Sequence, residues 1–248
     1  MELKGNVAIV TGGGTGMGKA ISTLLAASGA SVAVNYSRSE ADAVATAEEL
    51  TTAGVEALPI RADVSVAADV AAMVEQTERQ LGRVDILVNN AGYTKFVGMN
   101  DLEGMPEKEW DRIMDVNVKG IWLCTKAAVP AMRRAGGGAV VNVTSIAGLK
   151  VVGSSMAYAV SKAAAIHLTK CLAAALAPDV RVNSVAPGLV VTRWWAHAGK
   201  ERLKQMSESM PLKHSVTPEQ VATTTLELLK NESITGQTIA LDAGALLP

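Results

Sequence analysis

Short apolar runs rich in valine and isoleucine alternate with longer runs of helical periodicity along almost the whole of this 248-residue chain. That alternation constrains the fold more than any other feature. Strands are expected at 6–11, 31–36, 55–62, 84–89, 139–144, 180–186 and 237–241. Helices are expected at 16–28, 40–53, 66–81, 158–176 and 218–230. One long helix or two abutting ones should cover 107–135, with a kink at Pro130. Strands apolar on both faces, each followed by a helix, imply a parallel sheet covered on both sides. Right-handed crossovers make it a doubly wound α/β sheet of the Rossmann type, of about seven strands. No repeat or low-complexity linker divides the chain, so one domain spanning 1–248 is expected. The exception to the pattern is 189–216, a long mixed stretch with two tryptophans and two histidines. A segment of that size between a strand and a helix reads as a lid over a substrate site.

Composition excludes several classes. The formal net charge is −1 and no basic block is longer than Arg133 with Arg134, so there is no electrostatic footprint for nucleic acid. No apolar run reaches the roughly 18 residues of a membrane span. The stretch from Met1 to Gly5 runs into a strand pattern and does not read as a signal peptide. Cys124 and Cys171, the only cysteines, lie in apolar helical contexts and read as buried, reduced thiols. A cytoplasmic protein is expected.

The first strand runs into Thr11, Gly12, Gly13, Gly14, Thr15, Gly16, Met17 and Gly18, which open the first helix. Glycines there let the backbone turn tightly and approach a pyrophosphate. The helix N-terminus adds free N–H groups and partial positive charge. A tight turn alone is the alternative. A second constellation lies downstream, where Ser145, Tyr158 and Lys162 are spaced by thirteen and four residues. Tyrosine and lysine four apart share one helix face. The lysine charge is expected to favour the phenolate and lower the tyrosine pKa, as acid/base work on an alcohol or ketone requires. A serine from a neighbouring strand end could hold the reacting oxygen.

Taken together, these motifs resemble the short-chain dehydrogenase/reductase family over essentially the whole chain. The turn from Thr11 to Gly18 matches the family's Thr-Gly-x-x-x-Gly-x-Gly, with Met17 where isoleucine is usual. Asn89, Asn90, Ala91 and Gly92 match its Asn-Asn-Ala-Gly. Asn117, Ser145, Tyr158 and Lys162 fall on its four catalytic positions. Pro187 and Gly188, with Val190 and Thr192 beyond, match the segment that clasps the nicotinamide. Asp63 and Val64 resemble its adenine contact, although an aspartate capping the next helix would look the same. The resemblance implies hydride transfer between a nicotinamide cofactor and a carbonyl carbon. Tyr158 would be the acid/base, Ser145 would hold the substrate oxygen, and Lys162 would lower the tyrosine pKa and bind the ribose. Asn117 would hold a water that completes a proton relay. It also implies a homotetramer, for which the apolar helix 158–176 offers an outer face; burial under 107–135 alone is the alternative.

Cofactor choice rests on the end of the second strand. No carboxylate occurs there before Glu40, whereas Ser37 and Arg38 suit a 2′-phosphate, so NADP(H) is favoured over NAD(H). A solvated Arg38 is the alternative. A substrate pocket is expected from 93–96, 149–156 and 189–216, with Val151, Val152, Met156, Trp194 and Trp195 making it apolar. That favours a hydrophobic ketone or secondary alcohol. The tryptophans could instead anchor a lid or meet another subunit. An acyl-carrier-protein reductase ranks second, because only Arg133 and Arg134 offer charge for an acidic carrier near the site. A silent cofactor-binding scaffold is the alternative of another class. No metal is expected: His197 and His214 lack ligand spacing, and His167 reads as an ordinary helix residue.

Overall fold

The computed structural model describes residues 1–196 and 198–247. Chain order runs β1 (Val7–Val10), α1 (Gly16–Ala27), β2 (Ser31–Tyr36), α2 (Glu40–Thr52), β3 (Ala57–Arg61), α3 (Ala67–Leu81) and β4 (Ile86–Asn89). It continues with α4 (Glu107–Met114), α5 (Gly120–Arg134), β5 (Gly138–Val143), α6 (Met156–Leu176) and β6 (Val180–Pro187). The last elements are α7 (Lys200–Ser209), α8 (Pro218–Lys230) and β7 (Thr238–Leu241). All seven strands form one parallel sheet in the order β3-β2-β1-β4-β5-β6-β7.

The period-two geometry of a strand sends neighbouring residues to opposite faces. Ala8 and Val10 enter a core shared with α1, α2 and α8, while Ile9 enters a second core shared with α3 and α5. Both faces are therefore apolar, which is why the strands read as continuous rather than alternating runs. The strand order reverses between β1 and β4. In an open parallel sheet such a reversal leaves a crevice beyond the carboxyl ends of the strands.

The region 107–135 holds two helices, α4 and α5, and α5 continues through Pro130. The irregularity lies earlier, at a single π-helical turn, Asp115–Lys119, in which Gly120 N–H reaches back to the Asp115 carbonyl. The 189–216 segment contains α7, a helix for which no expectation was made and none of whose residues is buried. Cys124 is buried as expected, but Cys171 is exposed, because α6 is apolar on several sides and its pattern does not say which faces in. By length and composition α6 could cross a bilayer, yet its inward side carries the buried polar residues Ser161, Lys162 and Thr169.

Candidate active site

Most of the residues that resemble a catalytic and cofactor-binding set line one cleft of about 1220 Å³ at the carboxyl ends of the strands. At its phosphate end, Thr11 and Asn90 tie β1 to β4. Thr11 Oγ1 accepts from the N–H groups of Asn90 (2.9 Å) and Ala91 (3.0 Å). Asn90 Nδ2 donates to the carbonyls of Thr11 (2.9 Å) and Gly12 (3.1 Å). Gly12 and Gly16 both have left-handed backbone, with φ of 63° and 51°. Gly12, Thr15, Gly16 and Met17 line the cleft, and the first turn of α1 carries no acidic residue. That is a surface into which a phosphate fits.

Gly14 and Gly18 serve the turn differently and do not line the cleft. A Cβ on Gly18 would lie 2.1 Å from the Gly12 carbonyl oxygen, and one on Gly14 would lie 2.7 Å from Ala43 Cα. These glycines let the turn fold onto itself and onto α2.

Beyond β2, Ser37, Arg38 and Ser39 line the cleft. Arg38 is exposed and makes no ion pair among the described residues. The nearest carboxylate in sequence, Glu40, does not line the cleft and accepts a hydrogen bond from the Tyr36 hydroxyl (3.0 Å). Asp63 and Val64 line the cleft, and the cap of α3 is Val66, not Asp63. Asp63 Oδ1 accepts from Ser65 Oγ (2.6 Å) and Ser65 N–H (3.0 Å), and Oδ2 accepts from Arg112 Nη2 (2.8 Å). Burial opposes the charge, yet the Ser65 and Arg112 donors hold this carboxyl down to about 2.

At the chemical end, Ser145 follows β5 and its Oγ accepts from Ala147 N–H (3.1 Å), which fixes the turn after the strand. Tyr158 sits in the first turn of α6, held by a hydrogen bond from its N–H to Ser155 Oγ (3.2 Å). The Ser145 hydroxyl faces the Tyr158 phenol and favours its ionised form. Lys162 is buried one turn further, and its Nζ donates to the Val143 carbonyl (3.0 Å).

The electrostatics differ from the sequence expectation. Burial raises the Tyr158 phenol to about 12, with Ser145 offsetting only part of that. Burial also lowers Lys162 to about 8. The anticipated lowering of Tyr158 by Lys162 is not found: desolvation raises the phenol, and Ser145 is what opposes the rise. The lysine nitrogen lies over the ring, 5.6 Å from its centre, and its hydrogen bond goes to the backbone of β5.

Asn117 occupies the π-helical turn and is fully buried. Its Oδ1 accepts from Tyr93 N–H (2.8 Å), and its Nδ2 donates to the Tyr93 carbonyl (3.0 Å) and to Ser161 Oγ (3.0 Å). Ser161 Oγ in turn donates to the Tyr158 carbonyl (2.7 Å). The side chain expected to hold a relay water is thus spent on protein partners, and it does not line the cleft. Ser161 is the residue that sequence reasoning missed, while Tyr93 was expected only in the substrate pocket and not as the partner of Asn117. Ser161 sits between Tyr158 and Lys162 in the motif, at a spacing of three from the tyrosine, which puts it on the same side of the helix.

Pro187 ends β6, and Pro187, Gly188, Val190 and Thr192 all line the cleft. Gly188 N–H bonds Leu241 O (2.9 Å), and a Cβ there would lie 2.9 Å from Asp242 Cα. Thr192 Oγ1 accepts from Trp194 N–H (3.3 Å) and starts a 3₁₀ turn, Arg193–Trp195. Arg193 crosses to α2 and pairs with Asp42 (2.9 Å). The Trp194 ring centre lies 6.0 Å from that of Tyr158, and the Trp195 ring meets Phe96 edge-on at 5.7 Å.

Of the five expected pocket residues, Val152, Trp194 and Trp195 line the cleft and Val151 and Met156 do not. Val151 is 85% exposed, and Met156, the first residue of a helix that starts earlier than expected, is 42% exposed. The wall is closed instead by Ser154, which joins the two substrate loops: its carbonyl accepts from Val97 N–H (2.8 Å) and its hydroxyl meets Thr94 Oγ1 (2.5 Å). His197 lies outside the described residues. Among the described residues no group of His, Cys, Asp and Glu could hold a metal.

The charged lining is one-sided. Arg38, Arg112, Lys150, Lys162, Arg193 and Arg202 face the cleft, against Asp63 as the single carboxylate among the described lining residues.

Comparison with known proteins matches residues 12–245 to a family model described as enoyl-(acyl carrier protein) reductase. The 3-oxoacyl-(acyl-carrier-protein) reductase FabG of Staphylococcus epidermidis is 40% identical over 240 residues, covering 96% of this chain and 97% of the relative. The protein of the same name from Staphylococcus aureus is 38% identical over 240 residues, covering 96% of each. A solved structure, a short-chain type dehydrogenase/reductase from Mycobacterium marinum, superposes with a TM-score of 0.91 at 36% identity, covering 100% of this chain and 98% of that one.

Proposed function

The chain belongs to the short-chain dehydrogenase/reductase family of nicotinamide-dependent oxidoreductases, and we propose that it reduces a ketone on a hydrophobic small molecule to a secondary alcohol, using NADPH. The observation that carries this reading is the Tyr158 phenol, which lines the cleft beside Ser145 and is held protonated at neutral pH by desolvation. A protonated phenol is the acid that a carbonyl oxygen needs as it becomes an alkoxide. The nicotinamide ring, when bound, supplies the hydride that enters the carbonyl carbon.

The chain's own residues do the rest. Ser145 donates to the substrate oxygen and stabilises its growing charge. Tyr158 gives that oxygen its proton, so the products are a neutral alcohol and a phenolate. Lys162, buried beside the ring, is the charge that makes the phenolate affordable in a desolvated site and is placed to hold the ribose. Asn117 is a positioning residue: through Ser161 and Tyr93 it fixes the first turn of α6 against the loop after β4. Trp194, close to the Tyr158 ring, shields the reacting oxygen from water.

The phosphates belong at Gly12, Thr15, Gly16 and Met17, the adenine at Asp63 and Val64, and the nicotinamide end at Asn90, Ala91, Gly92, Pro187, Gly188, Val190 and Thr192. NADP(H) is preferred because Arg38 and Ser37 can meet a 2′-phosphate while Tyr36 engages Glu40. The outward side of α6, with Val160, Ala163 and Ala174 exposed, is the face for assembly into a homotetramer.

A second reading, reduction of a 3-oxoacyl group on a carrier protein, is favoured by the likeness to the staphylococcal 3-oxoacyl-(acyl-carrier-protein) reductases. Against docking of an acidic carrier, Arg133 pairs with Asp179 and Arg134 with Glu78. Loss of reduced-nicotinamide absorbance on mixing the protein with NADPH and a panel of hydrophobic ketones tests the proposal. Turnover restricted to carrier-bound substrates would favour the second reading.

A further inference from the structure

The stretch that joins β2 to α2 carries one cation, Arg38, and two carboxylates, Glu40 and Asp42, in the first turn of the helix. Ser37, Arg38 and Ser39 line the cleft, whereas Glu40 and Asp42 do not. Each carboxylate is taken up by a partner of its own. Asp42 pairs with Arg193 from the segment after β6 (2.9 Å). Glu40 accepts a hydrogen bond from the hydroxyl of Tyr36, the last residue of β2 (3.0 Å). Neither Glu40 nor Arg38 forms an ion pair among the described residues.

The Glu40 carboxylate is thus one hydrogen bond away from a residue that lines the cleft, since Tyr36 itself does. Glu40 and Arg38 are both exposed and two residues apart, so Glu40 is the nearest carboxylate in sequence that could neutralise this guanidinium. The tether that prevents it is firmly seated: Tyr36 is buried in the core that β2 shares with α2. A phenol is an O–H donor at neutral pH, and an ionised carboxylate only accepts, so the two are matched. On the other side of Tyr36, its register neighbour on β3 is Arg61, which is exposed and makes no ion pair among the described residues.

We propose that Tyr36 is a specificity-determining positioning residue: its hydroxyl holds the Glu40 carboxylate off Arg38 and out of the cleft, and so keeps the site open to a 2′-phosphate. The inference rests on the NADP(H) reading and adds to it a residue that acts through Glu40 and needs no contact with the phosphate. With the hydroxyl gone, Glu40 is free to pair with Arg38 or to face the phosphate as a like charge, and NADPH loses in both cases. NADH does not lose, because a carboxylate accepts hydrogen bonds from the ribose 2′-hydroxyl.

The test is a binding measurement that needs no turnover. NADPH and NADH are titrated against the full chain and its variants, with tryptophan fluorescence as the readout, since Trp194 lines the cleft. At low salt Tyr36→Phe should weaken NADPH about fivefold, the scale of one screened charge contact, and leave NADH within about twofold or tighter. Adding Glu40→Gln to Tyr36→Phe should bring NADPH back to within about twofold of wild type, because the amide carries no charge. Equal weakening of both cofactors by Tyr36→Phe, or a loss of NADPH that Glu40→Gln does not rescue, would overturn the proposal and leave Tyr36 a structural residue of β2. Unchanged NADPH binding in Tyr36→Phe would overturn it too, as expected of a released Glu40 that turns to Arg61. A wild type that binds NADPH no better than NADH would overturn the NADP(H) reading itself, and the inference with it.

Discussion

The Lys162 ammonium nitrogen lies over the Tyr158 ring, 5.6 Å from its centre, and donates to the Val143 carbonyl of the sheet. The lysine is therefore anchored to β5, and the phenol is left to Ser145. Two desolvated groups with opposite shifts result: a phenol raised to about 12 and an ammonium lowered to about 8. The pair suits a site that begins its cycle with a proton to give.

Lys162 should make stability depend on pH. Its folded value of about 8 lies below the ordinary 10.5, so between those values the unfolded chain binds more protons than the folded one. Stability then rises as pH climbs from 8 toward 10.5, and the full penalty of the buried charge is felt below 8. Relative to Lys162→Met, the wild type should gain on the order of 3 kcal/mol across that window. Urea unfolding of both proteins from about pH 7 to 9.5 reads the rising part of that gain, below the ordinary tyrosine range. A difference that does not change with pH would show that Lys162 is not desolvated.

Arg38→Ala should weaken NADPH by about tenfold or more, the scale of a lost hydrogen-bonded charge contact, and leave NADH within about twofold. Fluorescence titration of both reduced cofactors measures this. An equal loss for both would place Arg38 away from the 2′-phosphate.

Asn117→Ala removes three hydrogen bonds at once and leaves the Tyr93 N–H without its partner. The expected cost is about 1–3 kcal/mol, read as a lower denaturation midpoint at unchanged slope. kcat should fall more than KM rises, because the tether that aligns the first turn of α6 is lost. Ser161→Ala breaks the same chain at one link and should show a smaller version of both effects. Unchanged kcat in both variants would reduce this tether to a packing detail.

How far the sequence could be read follows from which residues carry an apolar pattern. The sheet was legible because Ala8, Ile9 and Val10 and their counterparts are buried on both faces, and only a helix-covered parallel sheet does that. The glycine turn was legible as a turn, but the division of labour within it was not. Gly16 opens a left-handed backbone whereas Gly18 makes room for the Gly12 carbonyl, and both appear only as Gly. Helix α7 was hard to see because its apolar side is sparse, Leu203 and Met206 with Met210 at its end, and none of its residues is buried. The exposure of Cys171 and Met156 was hidden for the opposite reason, an α6 apolar on too many sides. The π-helical turn around Asn117 has no composition of its own; only the Tyr93 and Ser161 partners give it a purpose.

The central claim is that Tyr158 gives the proton in carbonyl reduction. The most direct measurement is NADPH oxidation by a ketone accepted by the wild type, compared with Tyr158→Phe, alongside NADPH binding to each. Loss of turnover by about a thousandfold, with NADPH binding retained, is the predicted result. Turnover within a few-fold of wild type in Tyr158→Phe would contradict it.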